Sequence, residues 1–164
     1  MTGVTIANII ETIVAKNGFS MAAKKPCTAK QNQPSRNARL KSGIACTASS
    51  ISSGFCVASI LKMKDGKEIM GVNVENASYG ASICSERNAI TTAITMGYKK
   101  GDFDSIYIMV SGNKLSTPCF VCRQFISEFF DDDGKIVLMG LNGEERVFTV
   151  SQLCPYPFSD DDLK

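Results

Sequence analysis

The sequence predicts an α/β layered domain. Two observations carry that prediction. Five short segments rich in Ile, Val, Met and Leu are bounded by turn residues, and two segments with helical apolar spacing interrupt them. At 164 residues with 44% hydrophobic and 21% charged side chains, the chain is long enough for one buried core and has ordinary globular composition. The expected division is an N-terminal extension over 1–36, a short helix plus a basic arm, and one domain over 37–164.

The elements follow in order. Residues 4–16 have Ile6, Ile9, Ile10 and Ile13 on one side, with Asn17-Gly18 as a stop, so a helix is expected. Residues 19–41 mix Lys, Ala, Gln, Asn and Ser with two prolines and read as loop. Residues 55–63 and 68–74 are strands around the Asp65-Gly66 hairpin signal. A helix is expected over 83–96, with Ile83, Ile90 and Ile94 inward and Gly97 ending it. Residues 105–110 are a third strand. Pro118 sits where a helix starts, and Cys122, Phe125, Ile126 and Phe129 recur at i, i+3, i+4 and i+7. Two further strands, 135–139 and 146–150, flank Asn142-Gly143, and a final turn covers 153–158.

Net charge is +2, which favours no class of partner. Between Glu11 and Asp65 no acidic residue occurs, while nine residues from Lys16 to Lys64 are basic. A solvated extension is preferred to a nucleic-acid arm here, because the stretch is almost without aromatic residues. The odd number of cysteines, seven, argues against a complete disulfide framework. Cys27, Cys46, Cys56 and Cys154 have no ligand-like spacing and read as buried or incidental thiols. With no leader-like N-terminus and no apolar run of membrane-spanning length, a soluble cytoplasmic protein without membrane association is expected.

The chemistry is concentrated in Cys84-Ser-Glu86 and Pro118-Cys119-Phe-Val-Cys122. Three thiolates suit zinc, and three protein ligands leave the fourth tetrahedral position open. A closed site would need a fourth nearby Cys or His, and the chain contains no histidine. Cys84, Cys119 and Cys122 all fall at expected helix starts, where partial positive charge favours the thiolate. Glu86, two residues after the first ligand, is placed to take a proton from a zinc-activated water and return it, the arrangement of zinc-dependent base deamination. Three thiolates and Zn²⁺ leave one negative charge in excess. Arg87 is expected to offset it by hydrogen bonding to ligand sulfur.

Together with Phe55-Cys-Val57, Gly71-Val-Asn-Val-Glu-Asn-Ala-Ser-Tyr79, Cys84-Ser-Glu-Arg-Asn-Ala89, Arg123-Gln124 and Leu153-Cys-Pro-Tyr-Pro-Phe158, these residues resemble the small, three-cysteine form of the cytidine deaminases. The resemblance covers roughly 51–163 and implies a three-layer α/β/α fold on a mixed five-stranded sheet. It implies hydrolytic deamination of cytidine and 2′-deoxycytidine in pyrimidine salvage, with Zn²⁺ as cofactor. By resemblance, Asn73 and Glu75 hold the ribose hydroxyls, Phe55 packs on the pyrimidine and the Ser85 backbone hydrogen-bonds the base. Tyr79 and Phe158 match aromatic residues that reach a neighbouring subunit's site, which implies a homotetramer acting on a small nucleoside.

Three positions depart from that pattern. Ser52-Ser53-Gly54 replaces the usual Tyr-Ser before Phe55, Phe120 replaces a glycine and is expected to crowd the site, and Cys154 replaces a leucine. The family's first helix would align with 37–50. Two other readings remain open: a deaminase of a modified aminonucleoside of the blasticidin S type, and a zinc-stabilised nucleic-acid-binding module. Glu86 discriminates against the second, since a structural zinc has no use for that carboxylate.

Overall fold

The computed structural model describes residues 53–111, 114–140 and 142–164. The expected helix at 4–16, the basic arm, the boundary at 36/37 and the helix aligned with 37–50 lie outside these residues. A five-stranded mixed sheet organises the rest. Strands β1 (Val57–Met63), β2 (Glu68–Val72), β3 (Phe103–Val110), β4 (Lys135–Met139) and β5 (Glu145–Thr149) lie in the order β2-β1-β3-β4-β5. The β3–β4 pair is parallel and the other three pairs are antiparallel. Parallel neighbours need a crossover, and helix α2 (Phe120–Phe129) supplies it. Helix α1 (Ser85–Thr95) bridges β2 to β3, and a single turn, α3 (Val150–Leu153), follows β5.

Period-two alternation sorts the strand residues onto two faces. Leu61, Met63, Ile69, Ile106, Ile108, Ile136 and Leu138 face α1, α2 and α3, where they meet Ile90, Ile126 and Leu153. Each such side chain contributes roughly 1.5–3 kcal/mol on burial. Ala58, Ile60, Met109, Val137 and Met139 form a second buried cluster on the opposite face. The expected third layer lies outside the described residues. Cys56 belongs to this second cluster and is buried, as one of its two readings had it, but it is disulfide-bonded, which corrects its reading as a thiol; Cys154 is free and half-buried.

Asp65-Gly66 makes the hairpin, with Gly66 at φ +87° and the Lys67 N–H donating to Asp65 at 2.8 Å. Gly71 is required for another reason. A Cβ there would lie 2.4 Å from the Ser85 carbonyl oxygen and 2.5 Å from the Ala89 nitrogen, so α1 rests directly on the β2 backbone.

Ile94 is 38% exposed, against its expected inward position; Ala89 and Ala93 face the core instead, because close packing on β2 admits only small side chains. Val150 leaves β5 for α3, whose first turn is closed by a capping box between Thr149 and Gln152. Pro118 precedes the N-cap Cys119 rather than opening the helix.

Candidate active site

The chain leaves β2, crosses Asn73 and returns through a bridge in which Val74 and Ile83 exchange two backbone hydrogen bonds of 2.9 Å. That closed loop carries Glu75, Asn76 and the short turn Tyr79–Ala81, and delivers the chain to Cys84. Cys84 is the N-cap of α1. It is extended and its side chain makes no capping bond, while its carbonyl accepts the Asn88 N–H at 3.0 Å. Its sulfur is therefore left beside the unpaired N–H groups of the first turn. Ser85 and Glu86, the first two helical residues, are buried.

Cys119 repeats this geometry at the start of α2, and Cys122 follows one turn in, fully buried. Arg123 fixes the approach. Its guanidinium donates to the Pro118 carbonyl at 2.9 Å, the Thr117 hydroxyl at 2.8 Å and the Leu153 carbonyl at 3.2 Å. Its charged end also stacks over the Phe120 ring, 4.7 Å from the centroid. Phe120 is 81% exposed and lines no part of the cavity, so it does not crowd the site as expected.

The two helix starts bring the sulfurs of Cys84, Cys119 and Cys122 within 4.8 Å of one another. Cys84 and Cys119 stand 3.9 Å apart. Zinc–sulfur bonds of about 2.3 Å at tetrahedral angles put two ligand sulfurs roughly 3.8 Å apart, so the donor set fits zinc. No other group of metal-ligating side chains occurs among the described residues. Arg87 lies alongside, its guanidinium donating to the Ser82 carbonyl at 3.3 Å and to the Cys84 sulfur at 3.9 Å. The Arg87 Nε is buried without a hydrogen-bond partner, a second donor held close to an anionic ligand set.

The hydrogen bond from Cys122, then Arg87 and Cys119, lower the Cys84 thiol to about 5 against its burial. Cys122 is pushed up, first by that hydrogen bond and then by burial. Burial also pushes the Glu86 carboxyl above its ordinary range, opposed by its own backbone N–H and the Ser85 hydroxyl.

A cavity of about 650 Å³ opens over this group. Phe55, Asn73, Glu75, Tyr79, Cys84, Glu86, Arg87 and Cys119 line it, so most of the residues singled out by sequence meet in one place. Ser85 lies beneath and Phe158 stands outside, 58% exposed, with its backbone clasped by the Gln124 amide at 2.6 and 3.1 Å. Two residues had not been singled out. Ser53 donates to both oxygens of Glu75, through its hydroxyl and through its N–H at 3.1 Å. Ser59, fully buried on β1, hydrogen-bonds Ser85 at 2.6 Å. A lone hydroxyl in the apolar run Val57-Ala-Ser-Ile-Leu61 was the available signal for it.

Comparison with known proteins bears directly on this arrangement. Residues 33–140 match the family described as the cytidine and deoxycytidylate deaminase zinc-binding region. The chain belongs to this family. It is 39% identical over 111 residues to the cytidine deaminase of Halalkalibacterium halodurans, an alignment covering 68% of this chain and 83% of the relative. Its fold is similar to the crystal structure of cytidine deaminase from Burkholderia pseudomallei, with a TM-score of 0.65 and 36% identity over 67% of this chain and 87% of that one. A more distant relative is the blasticidin-S deaminase of Bacillus cereus, 28% identical over 63% of this chain and 76% of the relative. The three cysteines, Glu86, every residue that lines the cavity and four of the five strands lie within the matched region, so this protein is an enzyme of the deaminase family, and its mixed sheet is the family's sheet.

Proposed function

We propose that this protein hydrolyses the exocyclic amine of cytidine and 2′-deoxycytidine, giving uridine or 2′-deoxyuridine and ammonia, as a step of pyrimidine salvage. The observation that carries the reading is the meeting of three sulfurs and one buried carboxylate at the floor of a cavity sized for a small ligand. Cys84, Cys119 and Cys122 hold Zn²⁺. A zinc ion bound there supplies a Lewis acid and makes hydroxide available near neutral pH.

Glu86 does the proton work. Its burial favours the protonated form, so once it has accepted the water's proton it keeps it from bulk solvent and hands it to the ring nitrogen; it then takes the proton of the newly attached hydroxyl and passes that one to the departing amine as the C–N bond breaks and the carbonyl forms. Asn73 and Glu75 hold the sugar hydroxyls, with Glu75 steadied by Ser53. Phe55 packs against the pyrimidine, and the Ser85 backbone hydrogen-bonds the base. Arg87 offsets the excess negative charge of three thiolates around a divalent ion. Tyr79 and Phe158, both exposed, reach the site of a neighbouring subunit in a homotetramer.

The 28% identical blasticidin-S deaminase supports a second reading, a modified aminonucleoside as substrate. Purified, zinc-analysed protein incubated separately with cytidine, 2′-deoxycytidine and blasticidin S decides between them. Release of ammonia and uridine from cytidine at the highest kcat/KM supports the first reading. Turnover of blasticidin S alone contradicts it.

A further inference from the structure

We propose that Ser59 and Ser85 form a positioning relay that holds one oxygen of the Glu86 carboxylate and leaves the other to carry the proton. This rests on the proton role given to Glu86 above and extends it to two side chains with no other evident task. Ser59 and Ser85 are both fully buried, and neither hydroxyl reaches solvent. Ser59 Oγ and Ser85 Oγ lie 2.6 Å apart, and Ser85 Oγ lies 3.0 Å from Glu86 Oε2.

The direction of the chain follows from donor arithmetic. A hydroxyl has one proton to donate and an ionised carboxylate only accepts. Ser85 therefore spends its proton on Glu86 Oε2, and Ser59 must donate to Ser85. The order is Ser59 O–H to Ser85 Oγ, then Ser85 O–H to Glu86 Oε2.

A buried pair of serines that merely satisfied each other would need no third member. Here the chain ends on the carboxylate, in a low-dielectric surrounding where each bond is worth more than in water. The relay links two elements of the site: β1 carries Ser59, and the first turn of α1 carries Ser85 and Glu86. When Glu86 holds a proton on its second oxygen, Oε2 still accepts from Ser85, so the relay survives both halves of the proton cycle without rearrangement. That keeps the carboxyl group in one orientation between taking the proton and returning it, which is what a single residue serving both steps requires.

The test is a cycle of Ser59→Ala, Ser85→Ala and the double variant in zinc-loaded protein. Ser85→Ala lowers kcat for cytidine about tenfold, the scale of one hydrogen bond to a charged group. Ser59→Ala lowers it about threefold and adds nothing in the Ser85→Ala background. KM stays within about twofold and zinc content is unchanged.

A second reading uses ¹³C-labelled glutamate, with the Glu86 carboxyl signal assigned by its loss in Glu86→Gln. That signal moves in both single variants, because the carboxylate loses or weakens a donor. Wild-type kcat in both variants, additive effects of the two changes, or losses confined to KM, zinc content or folding overturn the relay. Absence of cytidine turnover in the wild type strikes the proposed reaction instead. The carboxyl signal then still decides the relay, and a signal unmoved by Ser85→Ala overturns it.

Discussion

Asn73 donates from its side-chain amide to the carbonyl oxygen of Phe55 at 2.8 Å, while its Oδ1 accepts the Val57 N–H at the same distance. One side chain thus acts as an extra strand partner where β1 begins. It sets the position of Phe55, the ring proposed to face the base. Asn73→Ala leaves a half-buried carbonyl and N–H without these partners, at a cost of about 1–3 kcal/mol. A lower Tm is expected together with a rise in KM for cytidine of about tenfold or more. A pure sugar ligand would raise KM with no loss of stability, and calorimetry beside steady-state kinetics separates the two.

Gly71 predicts a different failure. Alanine there meets the Ser85 carbonyl and the Ala89 backbone, not a side chain that can swing aside. Overpacking of this kind costs roughly 1–3 kcal/mol. Because the clash is with the first turn of α1, Gly71→Ala should shift Glu86 and Cys84 as well, lowering kcat in whatever fraction remains folded. A variant with unchanged Tm and kcat would show that α1 does not bear on β2 as described.

Glu86 places function and stability in opposition, and the sign can be worked out. Burial raises its folded carboxyl above the ordinary value of 4.5. The folded state therefore binds more protons than the unfolded chain between the two values, and stability falls as pH rises through that window. Glutamine cannot ionise and escapes the loss. After zinc is removed by chelation, Glu86→Gln should melt higher than the wild type at pH 8, and the difference should close below about pH 4. Thermal melts across that range check it, and equal melting points at pH 8 contradict it.

Arg87 is tested by Arg87→Gln, which keeps a polar side chain and removes the charge. Loss of a partner to ligand sulfur typically costs about 10–100-fold in metal affinity or activity. The expected result is zinc released to a competing chelator at lower chelator concentration, with slower turnover. Wild-type zinc retention and turnover would reduce Arg87 to a partly buried arginine bonded to the Ser82 carbonyl.

The five strands and two long helices were legible because Ile, Val and Leu recur at the right periods and Asp65-Gly66, Gly97 and Pro118 mark their ends. The sulfur group was legible because a helix start plus one turn fixes where Cys119 and Cys122 go, whatever surrounds them. Contacts between distant elements were not. Nothing local announces that Ser59 on β1 meets Ser85 on α1, 26 positions away, or that Ser53 will hold Glu75. Phe120 was misjudged for a similar reason. Its position beside two ligands suggested crowding, but the helix turns its side chain outward, where Arg123 stacks on it.

Metal analysis paired with turnover in the wild type and Glu86→Ala bears most directly on the three-sulfur site and its carboxylate. The expected result is about one zinc per chain in both proteins, release of uridine and ammonia from cytidine by the wild type, and no turnover by the variant. Full zinc content with equal turnover in both would contradict Glu86 as the proton carrier, and a zinc-free but active wild type would contradict the three-cysteine site itself.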